Sequence, residues 1–161
     1  MKPGDALCPC TSGRDYVECC APFHRGGEPS DAPTLVRARY SAFALGEIEF
    51  LWRTLHEDHP DKKRGRDKVL SAFRAASTSL RYRGMSILDH RPIDAGGEAR
   101  VLYLARVFRK GQNISFVELA DFLHDGVGLR YRSGKVIDAS MPDPTNLTIE
   151  LFAALAAAAQ N

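Results

Sequence analysis

Residues 8–20 read Cys8-Pro9-Cys10-Thr11-Ser12-Gly13-Arg14-Asp15-Tyr16-Val17-Glu18-Cys19-Cys20 and contain all four cysteines of the 161-residue chain. Thiolates at this spacing can bind one metal ion, because the Cys-x-Cys pair supplies two ligands of a tetrahedral zinc site and the vicinal pair supplies the other two. Ser12-Gly13 permits the sharp turn between them. A segment of about 25 residues is too short to bury a useful core, so metal binding has to supply its folding free energy. We therefore expect one structural zinc ion (Zn²⁺) here, and a disordered segment without it.

The fourth ligand of this ion has two candidates, whereas Cys8, Cys10 and Cys19 have no competitor. Cys20 follows Cys19 directly, while His24 lies four residues further along the chain and could take its place. The sequence favours Cys20 as the fourth ligand and keeps His24 as the alternative.

Two other uses of the cysteines compete with zinc. A pair of disulfides would suit a secreted mini-domain, but the polar start of the sequence offers no apolar run for export. A redox pair usually has Cys-x-x-Cys spacing on a helix, which is absent, and a bridge between Cys19 and Cys20 would be strained. Zinc therefore remains the favoured interpretation.

The composition is that of a cytoplasmic protein with one ordinary domain. Of its residues 44% are hydrophobic, yet no run approaches the 18 or more apolar residues of a membrane span, so we expect no membrane insertion. The net charge of +2 is too mild to establish a nucleic-acid partner, which usually leaves a stronger and more localised basic excess.

The cysteine segment also carries a family resemblance. The run Cys8-Pro9-Cys10-Thr11-Ser12-Gly13, with Tyr16, Cys19, Cys20 and His24, resembles the SEC-C zinc motif at the carboxyl end of the translocation ATPase SecA. The whole chain is similar to YchJ-type proteins, in which that motif precedes a stretch like residues 38–43 and one α+β domain. Thr11 departs from the motif, which most often has glycine there. The resemblance implies zinc binding, a domain like nuclear transport factor two, and no established activity.

The rest of the chain predicts an α+β fold in which helices come first. Residues 1–25 would form the zinc knuckle, residues 26–33 a linker rich in glycine and proline, and residues 34–161 the larger domain. Asp31 can cap a first helix that ends at Gly46, with Val36, Tyr40 and Phe43 on one face. Two further helical patterns follow, near residues 48–55 and 69–76, and the second is interrupted near Ser77.

Strand patterns occupy the second half of the chain. Residues 82–88, 99–108, 114–123 and 129–137 are rich in β-branched and aromatic side chains and are separated by turns short enough for hairpins. We expect a cone-shaped domain, in which three helices cover one face of a curved antiparallel sheet. An alanine-rich helix over residues 148–159, with Asn146 as a possible cap, would dock on this sheet or on a second copy in a homodimer.

A sheet curled around a helix leaves a cavity that could hold acid–base groups. The candidate side chains are His56, Asp89, His90, Asp121 and His124. Residues 89–92 and 124–126 fall in predicted turns, so their side chains are expected to hold loops or face water. Asp121 lies in an apolar strand and could point into the cavity, if the strand register allows it. His56 and His59 could share a second metal, but Pro60 opposes a helix there.

Three functions follow from these features. The first is a non-catalytic zinc-bearing interaction module, and the resemblance to SecA implies a SecB-like chaperone or the ribosome as its partner. The neighbours of the ligands expected to be exposed to that partner are Arg14, Tyr16, Phe23, His24 and Arg25. The second is a small-molecule-binding or enzymatic pocket in the cone, with a carboxylate or histidine inside it. The third is a weak nucleic-acid binder that uses the knuckle and the basic residues 62–66. A closed four-ligand cage leaves no position for a catalytic water, so the sequence favours a non-catalytic protein.

Overall fold

An antiparallel sheet forms the frame of the protein in the computed structural model, which describes residues 6–138 and 144–159. The strands β1 (Arg81–Arg91), β2 (Glu98–Arg109), β4 (Phe116–His124) and β5 (Leu129–Asp138) lie side by side in chain order, and the short β3 (Gln112–Asn113) pairs with β2. Register shifts interrupt the pairing in β1 and between Asp121 and Phe122, and such irregularities bend strands. The predicted strands and their consecutive antiparallel pairing are confirmed.

Three helices pack on one face of this sheet, as predicted. They are α2 (Ala32–Leu45), α3 (Ile48–Arg53) and α4 (Arg66–Ser79), and they follow a single-turn helix, α1 (Ala21–His24). The Asp31 carboxylate accepts the backbone N–H of Thr34 at 2.8 Å and caps α2, which ends at Gly46 in the left-handed conformation. Both predicted ends of α2 are confirmed, although the helix begins inside the segment expected to be a linker.

The predicted interruption near Ser77 is wrong, because α4 continues to Ser79. The hydroxyl of Thr78 donates to the carbonyl of Arg74 at 3.0 Å, and that of Ser79 donates to the carbonyl of Ala75 at 2.7 Å. Hydroxyl side chains that bond back to the preceding turn are tolerated in a helix, and so they do not end this one.

The second face of the sheet is covered by α5 (Ile149–Ala159). A separate apolar cluster lies between this helix and the sheet, formed by Leu102, Leu104, Val117, Leu119, Leu147, Ile149 and Phe152. The helix is capped by Thr148, whose hydroxyl accepts the N–H of Leu151 at 3.1 Å, and not by Asn146 as predicted. The sheet is therefore covered on both faces, whereas the sequence predicted three helices on one face and left the position of the closing helix open.

The segment between the cysteines and α2 is tied to the domain by charge. Glu28 lies 2.7 Å from Nη1 of Arg53 on α3 and 2.8 Å from Nη1 of Arg130 on β5. The pKa of Glu28 is lowered, first by the hydrogen bond from Arg130. Across the described part of the chain, no helix has the length and apolar character needed to cross a membrane.

Candidate metal centre and cavity

The four cysteines form one buried cluster. The sulfur atoms of Cys8, Cys10, Cys19 and Cys20 all lie within 4.8 Å of one another, and all four thiols are free. Cys10 and Cys19 are 3.6 Å apart, and Cys19 and Cys20 are 3.9 Å apart. A tetrahedron with zinc–sulfur bonds of about 2.3 Å has sulfur–sulfur edges of about 3.8 Å. An all-thiolate donor set of this size fits one zinc ion.

Local backbone structure brings the two cysteine pairs together. The N–H of Cys8 donates to the carbonyl of Arg14 at 2.9 Å, which closes a loop between the pairs. Inside that loop Thr11 and Gly13 both have positive φ, 58° and 87°. Left-handed geometry at Thr11 explains why glycine is the commoner residue of the motif at this position. The loop therefore tolerates Thr11 while keeping its sulfur atoms aimed inward.

The four thiols interact closely. Hydrogen bonds from Cys20 and then Cys8 lower the pKa of Cys10, whereas hydrogen bonds with Cys10 and then Cys8 raise the pKa of Cys20. Binding of a divalent ion would favour loss of the thiol protons, because thiolates are the ligands.

His24 lies outside this cluster. Its Nδ1 is 2.6 Å from the hydroxyl of Tyr16, and its Nε2 is 2.8 Å from the carbonyl of Ala38 on α2. Burial lowers the pKa of His24, which favours the neutral ring. Since both ring nitrogens have other partners, the geometry favours Cys20 over His24 as the fourth ligand.

The described part of the knuckle, residues 6–25, is joined to the larger domain by specific contacts. Cys8 Sγ lies 3.3 Å from Ser41 Oγ, and Arg37 donates to the carbonyl of Cys10 at 2.8 Å. On the sheet side, the Thr11 hydroxyl accepts the N–H of Met85 at 3.0 Å. The four cysteines belong to the same buried cluster as the helices and the sheet. The knuckle is thus part of the core and rests on α2 and β1.

Gly84 sets how closely the knuckle approaches β1. Its φ is 124°, and a Cβ added there would lie 2.8 Å from Cγ2 of Thr11. We expect Gly84→Ala to lower the free energy of unfolding by about 1–3 kcal/mol more than Gly26→Ala, because a tight contact is added to the backbone strain. Gly26 is a matched control, with φ of 120° and nothing within 4 Å of the added Cβ. Urea unfolding of both variants measures the difference, and equal losses would contradict this account of the contact.

A cavity of about 340 Å³ lies between the helices and the sheet. Its wall is mostly apolar, and eight side chains with polar groups also line it: Arg39, Tyr40, His59, Asp61, Tyr82, Tyr103, Glu118 and Tyr131. Glu118 is 7% exposed and accepts hydrogen bonds from Tyr103 and, at 2.6 Å, from Tyr131. Burial raises the pKa of Glu118, which favours the neutral carboxyl. The cone therefore contains the carboxylate that the pocket hypothesis required, but it is Glu118.

Asp121 was the wrong choice for this role. It lies on the opposite face of the sheet, where its Oδ1 accepts from Nε of Arg100 at 2.7 Å. Positions 118 and 121 differ by an odd number, so their side chains point to opposite faces of β4. The sequence did contain a signal for Glu118, because it lies two and four residues before Ala120 and Phe122 and therefore points to the same face of β4. Ala120 and Phe122 also line the cavity.

The other acid–base candidates lie elsewhere. His56 and His124 each accept the backbone N–H of the residue two positions later, at 3.0 Å, and therefore hold loops, as was expected for His124. Asp89 and His90 belong to the end of β1 and not to a turn, because β1 extends to Arg91. Asp89 there accepts the N–H of Ile149 at 2.9 Å and helps to hold α5.

The structure favours neither a second metal site at His59 nor a nucleic-acid site in the basic loop, residues 62–66. His59 precedes a 3-10 turn, and in the described ranges no group of three or more candidate ligands forms around it; the cysteine cluster is the group found. In the basic loop, Lys62 stacks on Trp52 at 4.0 Å, and Arg64 and Arg66 pair with Asp61 and Glu49. Lys62, Arg64 and Arg66 are therefore engaged within the protein.

A buried four-cysteine knuckle packed on an α+β domain with a cavity between its helices and sheet defines a class: a SEC-C motif carried by a domain like nuclear transport factor two. The chain belongs to the YchJ family, since the family model described as "YchJ, middle NTF2-like domain" matches residues 31–134. The UPF0225 protein of Geobacter sulfurreducens is 34% identical over 122 residues, which cover 72% of this chain and 70% of that protein.

Other relatives agree with this assignment. The UPF0225 protein of Deinococcus radiodurans is 52% identical over 54 residues, which cover 32% of this chain and 40% of that protein. The UPF0225 protein of Actinobacillus succinogenes is 40% identical over 88 residues, which cover 54% of this chain and 54% of that protein. A SEC-C motif containing protein from Rhodopseudomonas palustris has a similar structure, with TM-score 0.68, 25% identity, and coverage of 81% of this chain and 98% of that one. One from Psychrobacter arcticus shares the fold, with TM-score 0.62, 21% identity and coverage of 84% and 82%.

Proposed function

We propose that Cys8, Cys10, Cys19 and Cys20 bind one structural zinc ion and that this ion keeps the knuckle docked on α2 and β1. The observation that carries the proposal is the spacing of the buried sulfur atoms, which all lie within 4.8 Å of one another, with Cys10 and Cys19 3.6 Å apart and Cys19 and Cys20 3.9 Å apart. Four thiolates fill a tetrahedral ion completely and leave no position for a reactive water, so the metal has no catalytic task. The free thiols point to a reducing compartment, for which we propose the cytoplasm.

The expected metal content of the wild type is one zinc ion per chain, when the protein is purified under reducing conditions. Cys20→Ser removes one of four thiolates and is expected to lose most of the zinc, because structural sites are four-coordinate. His24→Ala is the matched control, since it changes a neighbour that bonds to Tyr16 and Ala38, and it is expected to keep the ion. Elemental analysis of the three proteins measures this directly.

Two results would overturn the metal proposal. The first is the absence of zinc from the wild type, together with thiols that react freely with an alkylating reagent. The second is loss of zinc from His24→Ala with retention in Cys20→Ser, which would assign the fourth ligand to the histidine.

We also propose that the outer surface of the knuckle binds a protein partner, with a SecB-like chaperone or the ribosome as the first candidates. Leu7 is 68% exposed, and Val17 and the cations Arg14 and Arg25 are exposed on the same small unit. Exposed apolar side chains beside arginine are typical of interface positions. Tyr16, Phe23 and His24 are partly buried, so the proposed surface depends on the exposed residues and not on those three.

Binding to purified SecB and to purified ribosomes tests this role. We expect the double variant Leu7→Ser/Val17→Ser to bind at least tenfold more weakly than the wild type, because two interface side chains lose their apolar contacts. Val127→Ser is the control, since Val127 is 70% exposed in the turn between β4 and β5. Unchanged binding by the double variant, or no binding of either partner by the wild type, would refute the proposed surface.

A further inference from the structure

Arg39 on α2 places a charged group at the wall of the cavity. The residue is 9% exposed, and its Nη1 donates to the carbonyl of Leu51 at 2.9 Å and to the hydroxyl of Thr54 at 2.6 Å. Within the described residues, Nε and Nη2 have no hydrogen-bond partner. Every fully buried side-chain nitrogen or oxygen of these residues has a hydrogen-bond partner. Nε and Nη2 of Arg39 are therefore not fully buried, and Arg39 lines the cavity.

The guanidinium of Arg39 remains a cation in this setting. Burial lowers the pKa of Arg39, but an arginine side chain starts from a value so high that it keeps its proton. Its carbon atom Cζ lies 5.0 Å from the centre of the Tyr131 ring, a distance at which a cation is attracted to the ring face. The plane of the group is thus held by Tyr131, Leu51 and Thr54, and one edge with two N–H donors stays free.

The acidic side chains at the cavity wall form no ion pair with Arg39. Burial lowers the pKa of Arg39, and the charges of Glu118 and Asp61 act on it in the opposite direction from a distance. Glu118 accepts hydrogen bonds from Tyr103 and Tyr131 instead. The other acid at the cavity wall, Asp61, is engaged by Arg64 at 3.1 Å. Within residues 6–138 and 144–159, the cation therefore has no carboxylate partner in a poorly solvated place. A buried charge of this kind is stabilised by a counter-ion with good hydrogen-bond geometry.

The remainder of the cavity is suited to a flat apolar body. Phe43 meets Phe73 edge to face with ring centres 5.6 Å apart, and it stacks on Tyr82 at 6.2 Å. Phe116 and several aliphatic side chains complete the wall. The volume of about 340 Å³ falls within the range of about 300–1,000 Å³ found for small-molecule sites, which combine apolar walls with few polar groups.

From these contacts we infer that the cavity binds a small organic acid with an aromatic or similarly flat apolar body. The ligand carboxylate accepts two parallel hydrogen bonds from Nε and Nη2 of Arg39, and the body packs among Phe43, Phe73 and Phe116. The cavity is lined by residues of the larger domain, so binding there does not depend on the zinc site and involves no chemical step.

The test compares cinnamate with its uncharged counterpart cinnamide, at neutral pH, with the full zinc-loaded chain. Titrations are followed by the amide NMR signals of isotope-labelled protein. We expect the wild type to bind cinnamate at least tenfold more tightly than cinnamide, because a bidentate arginine–carboxylate pair is made with the acid alone. Arg39→Met is expected to lose this preference while it keeps weak binding of the amide.

Arg100→Met is the matched control, since Arg100 lies on the opposite face of the sheet beside Asp121 and should leave the preference unchanged. Arg39 also supports α3, so its variant could fail to fold. Val136→Trp therefore provides an independent test, because Val136 lines the cavity but is 57% exposed, and a larger side chain there should block entry. We expect it to weaken cinnamate binding at least tenfold while the circular dichroism spectrum stays native.

Equal affinities of the wild type for the acid and the amide would overturn the inference, as would no binding of either. Full cinnamate affinity in Val136→Trp would place the ligand outside the cavity and overturn it too. These outcomes are separate from loss of zinc, which elemental analysis of the same samples detects.

Discussion

Removal of the metal is expected to lower the melting temperature of the protein by about 10–20 °C and to undock the knuckle from the domain. Zinc binding contributes about 10–16 kcal/mol to the folding of isolated zinc-finger peptides. If about 5 kcal/mol of that is coupled to the larger domain, the shift follows from about 2–4 °C per kcal/mol for chains of this size. The coupling is expected because the four cysteines lie in the same buried cluster as α2 and the sheet.

Loss of the ion is expected to weaken the contacts that dock the knuckle on α2 and β1. Without the ion, the sulfur atoms no longer hold the loop closed, and the contacts of Cys8 with Ser41 and of Thr11 with Met85 lose their support. The apolar cluster under α5 has no cysteine in it. We therefore expect local opening on the knuckle side and persistence of structure on the other side.

Hydrogen exchange before and after treatment with a chelator measures this asymmetry. Amides of residues 8–24, 37–41 and 84–86 are expected to lose protection, while those around Leu119 and Phe152 keep it and serve as the internal control. An unchanged melting temperature in the metal-free protein would contradict the coupling. Uniform loss of protection, including α5, would show that the ion supports the whole chain and not one side of it.

Local sequence signals predicted most of the fold. Asp31 and Gly46 marked the ends of α2, and the alternating β-branched and aromatic residues marked each long strand, because caps and strand patterns depend on near neighbours. The cysteine spacing likewise led to a cluster whose sulfur atoms lie together, since a short loop limits where they can go. Such features need no knowledge of distant contacts.

Long-range pairing was the information that the sequence did not supply. Glu118 was missed and Asp121 preferred, because the choice of inward face depends on how β4 pairs with β2 and β5, and a shift of one residue reverses it. The buried environment of Arg39 was not predicted either, because Leu51, Thr54 and Tyr131 from other elements create it. The docking of the knuckle on Ser41 and Met85 was likewise outside the reach of local patterns.

Glu118 is expected to make the protein less stable as the pH rises, whereas an ion-paired acid makes a protein more stable as the pH rises. Burial raises the pKa of Glu118 above the value of 4.5 expected for the unfolded chain, against the lowering effect of Tyr103 and Tyr131. Folding therefore favours the protonated carboxyl. The contribution of this group is largest below about pH 4, where the carboxyl is neutral in both states, and it declines as the pH rises from the unfolded pKa to the folded one.

Two substitutions separate ionisation from hydrogen bonding. Glu118→Gln keeps a polar group between Tyr103 and Tyr131 but cannot ionise, so its free energy of unfolding is expected to lack the decline that Glu118 causes in the wild type. Glu118→Leu leaves two buried hydroxyls without their acceptor. Each such loss costs about 1–3 kcal/mol, so we expect the leucine variant to be less stable than the glutamine variant by about 2–6 kcal/mol.

Urea unfolding in small pH steps measures both effects. Asp121→Asn is the matched control, because that carboxyl lies on the same strand but faces the other side of the sheet beside Arg100. The control should keep the decline that Glu118 causes in the wild type, since the cavity is untouched. Identical pH profiles for the wild type and Glu118→Gln would contradict a raised pKa for Glu118. A leucine variant as stable as the glutamine variant would mean that water reaches Tyr103 and Tyr131, and that the cavity is wetter than its apolar wall implies.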